Sequence, residues 1–455
     1  DYMLLVSATT KRKLWFSFLL LPFVSTLVAQ ENSPYSRYGL GDLVPNQPVL
    51  NRGMGGIGAG YVDYDKRYDL KDIYPKSQNV NFLNPASYSK LRITSFNLGF
   101  EIDSRTLRSP AQADKFTASS AIISYLQLGI PLSHKRQIGL NLGLRPLTRI
   151  NYKIQNTEKH IYTDPSAPAD SINNLFEGTG GTYEAFAGVG KAFKNLSVGV
   201  NVGYFFGTKD YSTRKTILND SVLHYKSNYE TKTSFGGFLI NAGVQYQANL
   251  DKKTRLVIGA YGNLRQTFNA KQDVVRETFN YDANGAPVSI DTVDAQKDVK
   301  GKIDYPSNVG VGFTLERQDK WMVGADFTTT SWADYSFFGV KDLVRNSWMI
   351  HVGGQFIPDA LNPKGYWNHV SYRAGFNFGP DYVKADANDL NQFGISLGTG
   401  LPVRKNPYTN QYTYINVGFE YGKRGNNTNL LRESMFRISI GFTLSDLWFI
   451  KKKYN

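Results

Sequence analysis

Phe436-Arg437-Ile438-Ser439-Ile440-Gly441-Phe442-Thr443-Leu444 alternates without a break, five bulky apolar residues enclosing a charge, a glycine and two hydroxyls. Successive side chains of an extended chain point to opposite faces, so this stretch reads as a strand with one apolar and one polar face. The stretch before it repeats the pattern, with Ile415, Val417, Phe419 and Tyr421 against Asn416, Gly418 and Glu420. Val309 to Leu315 and Leu196 to Tyr204 do the same. The polar faces are rich in glycine and carry single mid-strand charges: Arg145, Glu184, Asp326, Arg373, Glu420 and Arg437. A wall with lipid outside and a filled polar lumen inside accounts for that pattern better than a soluble sandwich does.

Working outward from these strands gives fourteen: 91–104, 117–132, 136–153, 180–193, 196–209, 229–248, 254–269, 301–317, 320–332, 345–357, 367–379, 391–402, 411–422 and 434–444. Short connections alternate with long ones, as turns and loops do at the two ends of a barrel. Asn284-Gly285 between alternating arms is a hairpin turn, extending two strands beyond the membrane. The expected fold is an all-β transmembrane antiparallel barrel of about fourteen strands. Trp321, Trp332, Trp348, Trp367 and Trp448 fall at expected strand ends, where interfacial girdles would place them.

The composition agrees. Of 455 residues, 42 are Gly, 29 Tyr and 28 Phe, and mean hydropathy is negative. Lipid-facing residues diluted one in two by luminal ones give that balance; a helical membrane protein would not. There is no Cys, which removes disulfides, thiolate metal sites and Cys nucleophiles. The formal charge of +14 sits largely in expected turns and suits acidic lipid head groups or an acidic protein surface; nucleic acid is not an expected partner.

Residues 1–29 read as a signal peptide: Lys11-Arg12-Lys13, an apolar run from Leu14 to Val28, then Leu27-Val28-Ala29 as the cleavage site. Met3 is a candidate start. The run is shorter than the roughly 20 residues a spanning helix needs. Residues 30–90 show no strand period and are rich in Gly, Asn, Pro and Tyr. Since a barrel of this size is too wide for its own side chains to fill, they are expected to form a hatch within the barrel of residues 91–455. Both termini are then expected in the periplasm.

Arg52-Gly53-Met54-Gly55-Gly56-Ile57-Gly58 and Asn84-Pro85-Ala86 resemble the FadL/TodX family of outer-membrane transporters of hydrophobic compounds. So do Tyr305-Pro306-Ser307-Asn308 and Trp321-Met322-Val323-Gly324-Ala325-Asp326. The opening Ser33-Pro34-Tyr35-Ser36-Arg37-Tyr38 looks like that of Bacteroidota members, with PorV-like relatives. The resemblance implies fourteen strands, a hatch and passive uptake of hydrophobic or amphipathic small molecules such as long-chain fatty acids. It also implies a lateral opening at a kinked third strand, where this sequence has Pro146 directly after Arg145. PorV-like relatives act as docking subunits of a secretion machine. The alternative function is therefore a non-transporting scaffold within an outer-membrane complex. The charged run from Tyr61 to Gln78 departs from the family pattern. An apolar cavity running from loops to hatch would favour transport; a lumen sealed by paired charges would favour the scaffold.

Gly53, Gly55 and Gly56, with Asn84, Pro85 and Ala86, are the expected hatch or ligand positions. The glycines also fit a dinucleotide-binding spacing, but no strand precedes them and no helix follows. Ser396 sits in Gly394-Ile395-Ser396-Leu397-Gly398, a nucleophile-elbow spacing, yet strand alternation continues on both sides. His134, His160, His224, His351 and His369 show no metal-ligand spacing. No catalytic residue, metal or cofactor is expected. The expected partners are outer-membrane lipid, a hydrophobic small molecule and outer-membrane proteins. The luminal charges are expected to pair across strands and clamp the hatch.

Overall fold

The computed structural model describes residues 33–63, 77–110, 114–160, 170–218, 225–360, 365–385, 388–403 and 411–446. The signal segment, most of the charged run after Tyr61 and Trp448-Phe449 lie outside them. Fourteen antiparallel wall strands follow in chain order. They are β1 (Thr94–Arg108), β2 (Lys115–Ser133), β3 (Ile138–His160), β4 (Asp170–Phe193), β5 (Leu196–Ile217) and β6 (Lys226–Asn249). Next come β7 (Thr254–Asn263 and Gln266–Tyr281), β8 (Pro287–Tyr305 and Asn308–Arg317), β9 (Trp321–Thr330) and β10 (Ser347–Phe356). β11 (Ser371–Pro380), β12 (Asn391–Pro402), β13 (Tyr412–Arg424) and β14 (Arg432–Asp446) complete the set. Each pairs with its neighbour, and β14 closes on β1 through fifteen residues, from Arg432↔Arg108 to Asp446↔Thr94. Closure leaves the membrane-embedded backbone without a sheet edge, which lipid demands.

The wall is lopsided. β9, β10 and β11 have 10 residues each, close to the roughly 9–11 that cross a bilayer. β3 to β6 run for 22 to 24 residues. With the long arms of β7 and β8 they form a sheet that stands well past the rest of the barrel at the long-loop end. The sequence places loops at 154–179 and 210–228; most of the described residues there are strand. Above the membrane both faces are wet, so the apolar period fades while the ladder continues. The Asn284-Gly285 turn stands as expected, with Gly285 at φ +77°.

Two of the expected placements differ. Trp332 is not in a lipid-facing girdle: it is buried, stacked on Tyr382 at 4.5 Å between ring centres. His369 lies not in a strand beside His351 but just after a 3-10 turn, Tyr366–Asn368, at the short-turn end.

The wall has a local split. The β2–β3 ladder covers only Leu126↔Leu144 to Ser133↔Ile138, ending immediately before Arg145-Pro146. Pro146 has no N–H to donate and is followed by a register shift against β4. Beyond it, β3 takes a different partner. Asp42-Leu43 pairs with Thr148-Arg149, Val44 donates to the Leu147 carbonyl (3.0 Å) and Ser33 to the Asn151 carbonyl (3.2 Å).

Candidate functional site: the filled lumen

The described residues between Ser33 and Ile93 run through the lumen, and from Val49 to Asp63 and Ser77 to Leu91 they are buried throughout. Turns and short helices suit this segment, because its backbone groups must find partners away from a ladder. The turn at Gly55 and Gly56 has φ of +70° and +91°, which favours glycine. A Cβ on Gly55 would also strike the wall backbone at Val352 and Phe376. Gly53 lies against Gly398 in the same way, Cα to would-be Cβ at 3.2 Å.

Wall side chains then bind the segment's backbone. The Asp326 carboxylate accepts from Gly58 N–H (2.6 Å) and Ala59 N–H (2.7 Å). Ser396 accepts from Gly55 N–H (2.9 Å), and His351 Nδ1 donates to the Gly55 carbonyl (2.7 Å). Ser396 is thus a buried strand residue holding a turn. Gln245 and Gln127 donate to the Ala59 and Val80 carbonyls. Asn84 caps the 3-10 turn Pro85–Lys90, accepting from Ala86 N–H (3.1 Å) and donating to the Ala59 carbonyl (2.7 Å). Pro85 and Ala86 press on wall positions that only glycine can occupy: a Cβ at Gly199 would meet their backbone. Gly259 against Ala59, Gly353 against Met54, and Gly375 against Met54 and Gly55 do the same. The glycine-rich polar faces of the strands are the seats of this segment.

The luminal charges form a network larger than the six expected residues. Arg52 donates to Glu101 (2.6 Å) and Glu420 (2.7 Å). Arg437 reaches Asp103 (3.1 Å) and Glu420 (3.2 Å). Arg105 bridges Asp42 (2.5 Å), Asp103 and Glu433; Arg424 bridges Asp381 (2.7 Å), Asp42 (3.0 Å) and Glu433. Burial alone would raise the Asp42 carboxyl, but Arg105, Arg424 and Arg149 hold it below its ordinary 3.8. Arg145 pairs with Glu184 (2.7 Å), bonds Asn46 and lies over the Phe82 ring at 4.8 Å. Arg373 stands apart from the carboxylates, donating to Gln355 and Asn416. The residues overlooked in the sequence are Arg52, Asp42, Arg424 and the run Glu101, Asp103, Arg105. That run alternates on one face of the first strand, which was a legible signal.

At the long-loop end a cluster of buried aromatic side chains occupies the lumen. Phe205, Phe235 and Phe268 from the wall cluster with Tyr35 and Leu40 of the luminal segment and with Trp332, Tyr335 and Tyr382 of the loops. Three hydroxyls clamp one turn: Tyr335 donates to the Gly39 carbonyl (2.9 Å), Tyr382 to Gly41 (2.6 Å) and Tyr211 to Arg37 (2.5 Å). A cavity of about 300 Å³ lies beside this cluster, and its lining includes Arg52, Arg105, Arg424, Arg437, Asp42 and Glu433.

Solved structures share the fold. The Pseudomonas putida toluene transporter TodX aligns with a TM-score of 0.54 at 15% identity, over 90% of this chain and 99% of its own. The CymD monoaromatic hydrocarbon channel gives 0.51 at 15% identity, over 90% and 99%. A Pseudomonas aeruginosa FadL homologue gives 0.51 at 12%, over 90% and 98%. No curated protein sequence matches. The expected resemblance thus holds for the fold, a fourteen-stranded barrel of the FadL type, while the matching family model carries another name. That model, BamG, spans residues 11–455, and the chain belongs to the BamG family.

Proposed function

We propose that this protein is a permanently plugged barrel that serves as a docking subunit of an outer-membrane protein complex and passes no substrate itself. The observation that carries this reading is the lumen: where a hydrophobic channel needs an apolar cavity, Tyr35 and Leu40 already occupy the aromatic cluster. Below them, buried ion pairs and wall glycines seat the described residues between Asp42 and Ala86. Beyond the β2–β3 split at Pro146, Asp42-Leu43 takes up the free edge of β3, which in this reading keeps the luminal segment fixed at the wall defect. The cavity beside the cluster has a mixed lining, in which Arg52, Arg105, Arg424 and Arg437 stand among apolar residues such as Trp348, Met349 and Phe393, and buried charges of this kind are unusual in pockets that hold small hydrophobic molecules.

In this reading the short turns and both termini face the periplasm, and the tall sheet with its long loops faces outward. Exposed apolar residues there, Tyr225, Val293 and Leu430, offer contact points to a protein partner.

Passive uptake of long-chain fatty acid-like or other hydrophobic molecules through a movable hatch is the second reading. The fold shared with the TodX and CymD channels favours it. Purification from the outer membrane in mild detergent, with mass spectrometry of co-eluting species, separates the two when combined with liposome uptake. Docking predicts a stoichiometric protein partner, cross-linkable through a photoreactive residue at Tyr225 or Leu430, and no uptake. A near-stoichiometric lipid-like ligand, with uptake that Pro146→Val abolishes, would establish transport instead.

A further inference from the structure

Wall strands β6, β7 and β8 share a defect far from Pro146. Pairing of β6 with β7 stops at Gly236↔Asn269 and resumes only at Ala242↔Gly262, so Gly237 to Asn241 have no ladder partner on β7. β7 is interrupted at Leu264-Arg265 and β8 beside it at Pro306-Ser307. Side-chain amides patch the gap. Gln266 Oε1 accepts from Ile240 N–H (3.2 Å), its Nε2 donates to the Ile240 carbonyl (3.4 Å), and Asn263 donates to the Pro306 carbonyl (3.0 Å). Leu264 (82% exposed), Phe238 (69%) and Ile240 (50%) stand around it on the outside, while Leu239 and Phe268 are buried behind. The defect is therefore a shallow apolar slot in the outer surface and not a hole.

Cations lie immediately beyond the slot. Ile303 and Phe268 face each other across the β7–β8 ladder and are both buried in the lumen. Period two then puts Lys302 and the directly opposed pair Lys300↔Lys271 on the outer face. Like charges directly opposite destabilise a sheet. Asp298 reaches Lys271 at 3.4 Å and Asp304 reaches Arg265 at 2.9 Å; Lys300 and Lys302 have no ion pair among the described residues. From Arg265 to Lys271 these groups span about 15 Å of height, six strand steps of roughly 3.3 Å at a tilt near 40°. One headgroup layer of a bilayer is only about 5–7 Å deep.

We infer that this outer face binds a phosphorylated glycolipid of the outer leaflet. One acyl chain lies in the slot against Phe238, Ile240 and Leu264, and the phosphate sits on Lys300, Lys302 and Lys271. The height of the cation column calls for a headgroup larger than a glycerophosphate, and the anion relieves the opposed lysines.

The test uses the full-length protein in phosphatidylcholine nanodiscs doped with a phosphorylated disaccharide lipid, with its dephosphorylated form, or with inorganic phosphate alone. Native mass spectrometry reads the bound species. The expected result is one phosphorylated glycolipid retained by the wild type and about thirtyfold weaker retention by Lys300→Gln/Lys302→Gln, at roughly one logarithmic unit or less per lysine. Lys252→Gln/Lys253→Gln, an equal charge change on a turn at the other end, retains the lipid. Leu264→Ser weakens retention without changing phosphate dependence. Equal retention of the dephosphorylated lipid, or by the double lysine variant, overturns the proposal. Inorganic phosphate binding as tightly as the glycolipid would make this a free-anion site and refute the lipid. All substituted side chains point outward, and a heat-dependent gel shift verifies that each variant barrel is folded.

Discussion

Removing Arg52 should loosen the luminal segment from the wall by a measurable equilibrium constant. Its guanidinium is buried and donates to Glu101 at 2.6 Å and to Glu420 at 2.7 Å. In Arg52→Ala, Glu420 keeps Arg437 at 3.2 Å, but Glu101 is left with Arg149 at 3.8 Å and Arg437 at 4.0 Å. Breaking a buried pair by deleting one partner costs about 3–5 kcal/mol, because the other charge stays buried. Two cations remain within 4 Å of Glu101, so the lower end, about 3 kcal/mol, applies. At about 1.4 kcal/mol per tenfold, the segment should open about a hundred times more often. Because the chain has no Cys, Met54→Cys gives a single thiol on a fully buried residue two positions away. A soluble thiol reagent labels it only when the segment opens, so the labelling rate reports that equilibrium. Arg52→Lys, which keeps the charge but not the two-pronged contact, should fall between. A change in labelling below about threefold between the Arg52→Ala and Arg52 backgrounds would refute the claim that this network seats the plug.

Gly375→Val places side-chain atoms where Met54 and Gly55 pass, so the barrel should fold with the luminal segment displaced; protease should then cut near Met54 while wall fragments stay intact. Asp42 is held below its ordinary value, so its stabilisation is complete above about pH 4 and lost as the pH falls through the lowered folded-state value. Hydrogen exchange of the Val44 N–H beside it, referenced to the intrinsic rate at each pH, should therefore show constant protection on moderate acidification and lose it only below about pH 4; a loss centred near neutrality would contradict the pairing with Arg105 and Arg424. Asp326→Ala leaves the N–H groups of Gly58 and Ala59 unanswered, and thermal unfolding should show a loss of about 2–4 kcal/mol. In planar bilayers, Pro146→Val should leave conductance at the wild-type level if the barrel is plugged as proposed, because the aromatic cluster then blocks the path regardless of the kink.

Much of the wall was legible in the chain. Phe436 to Leu444 and its counterparts give strand type and facing, because a strand's period of two writes its environment directly into alternating residues. The even count and the alternation of short and long connections followed from the same signal. The outward arms of β3 to β8 were harder to read, since water on both faces erases the period although the ladder persists. The segment before the first wall strand stood out for having no period, and the glycine-rich polar faces marked the luminal side of the strands. Which glycine meets which turn, Gly375 under Gly55 or Gly259 under Ala59, depends on contacts across hundreds of residues.

The sequence by itself determined the membrane barrel, because lipid outside and polar contents inside leave a local, repeating mark on every spanning strand. Only the tertiary structure decided what the lumen holds. Tyr35 meets Phe205 and Trp332 in one cluster, Arg52 meets Glu101 and Glu420, and Asp42-Leu43 pairs with β3 just beyond Pro146. These are long-range pairings with no sequence period, and whether such a segment blocks a lumen or leaves a path is settled by packing alone.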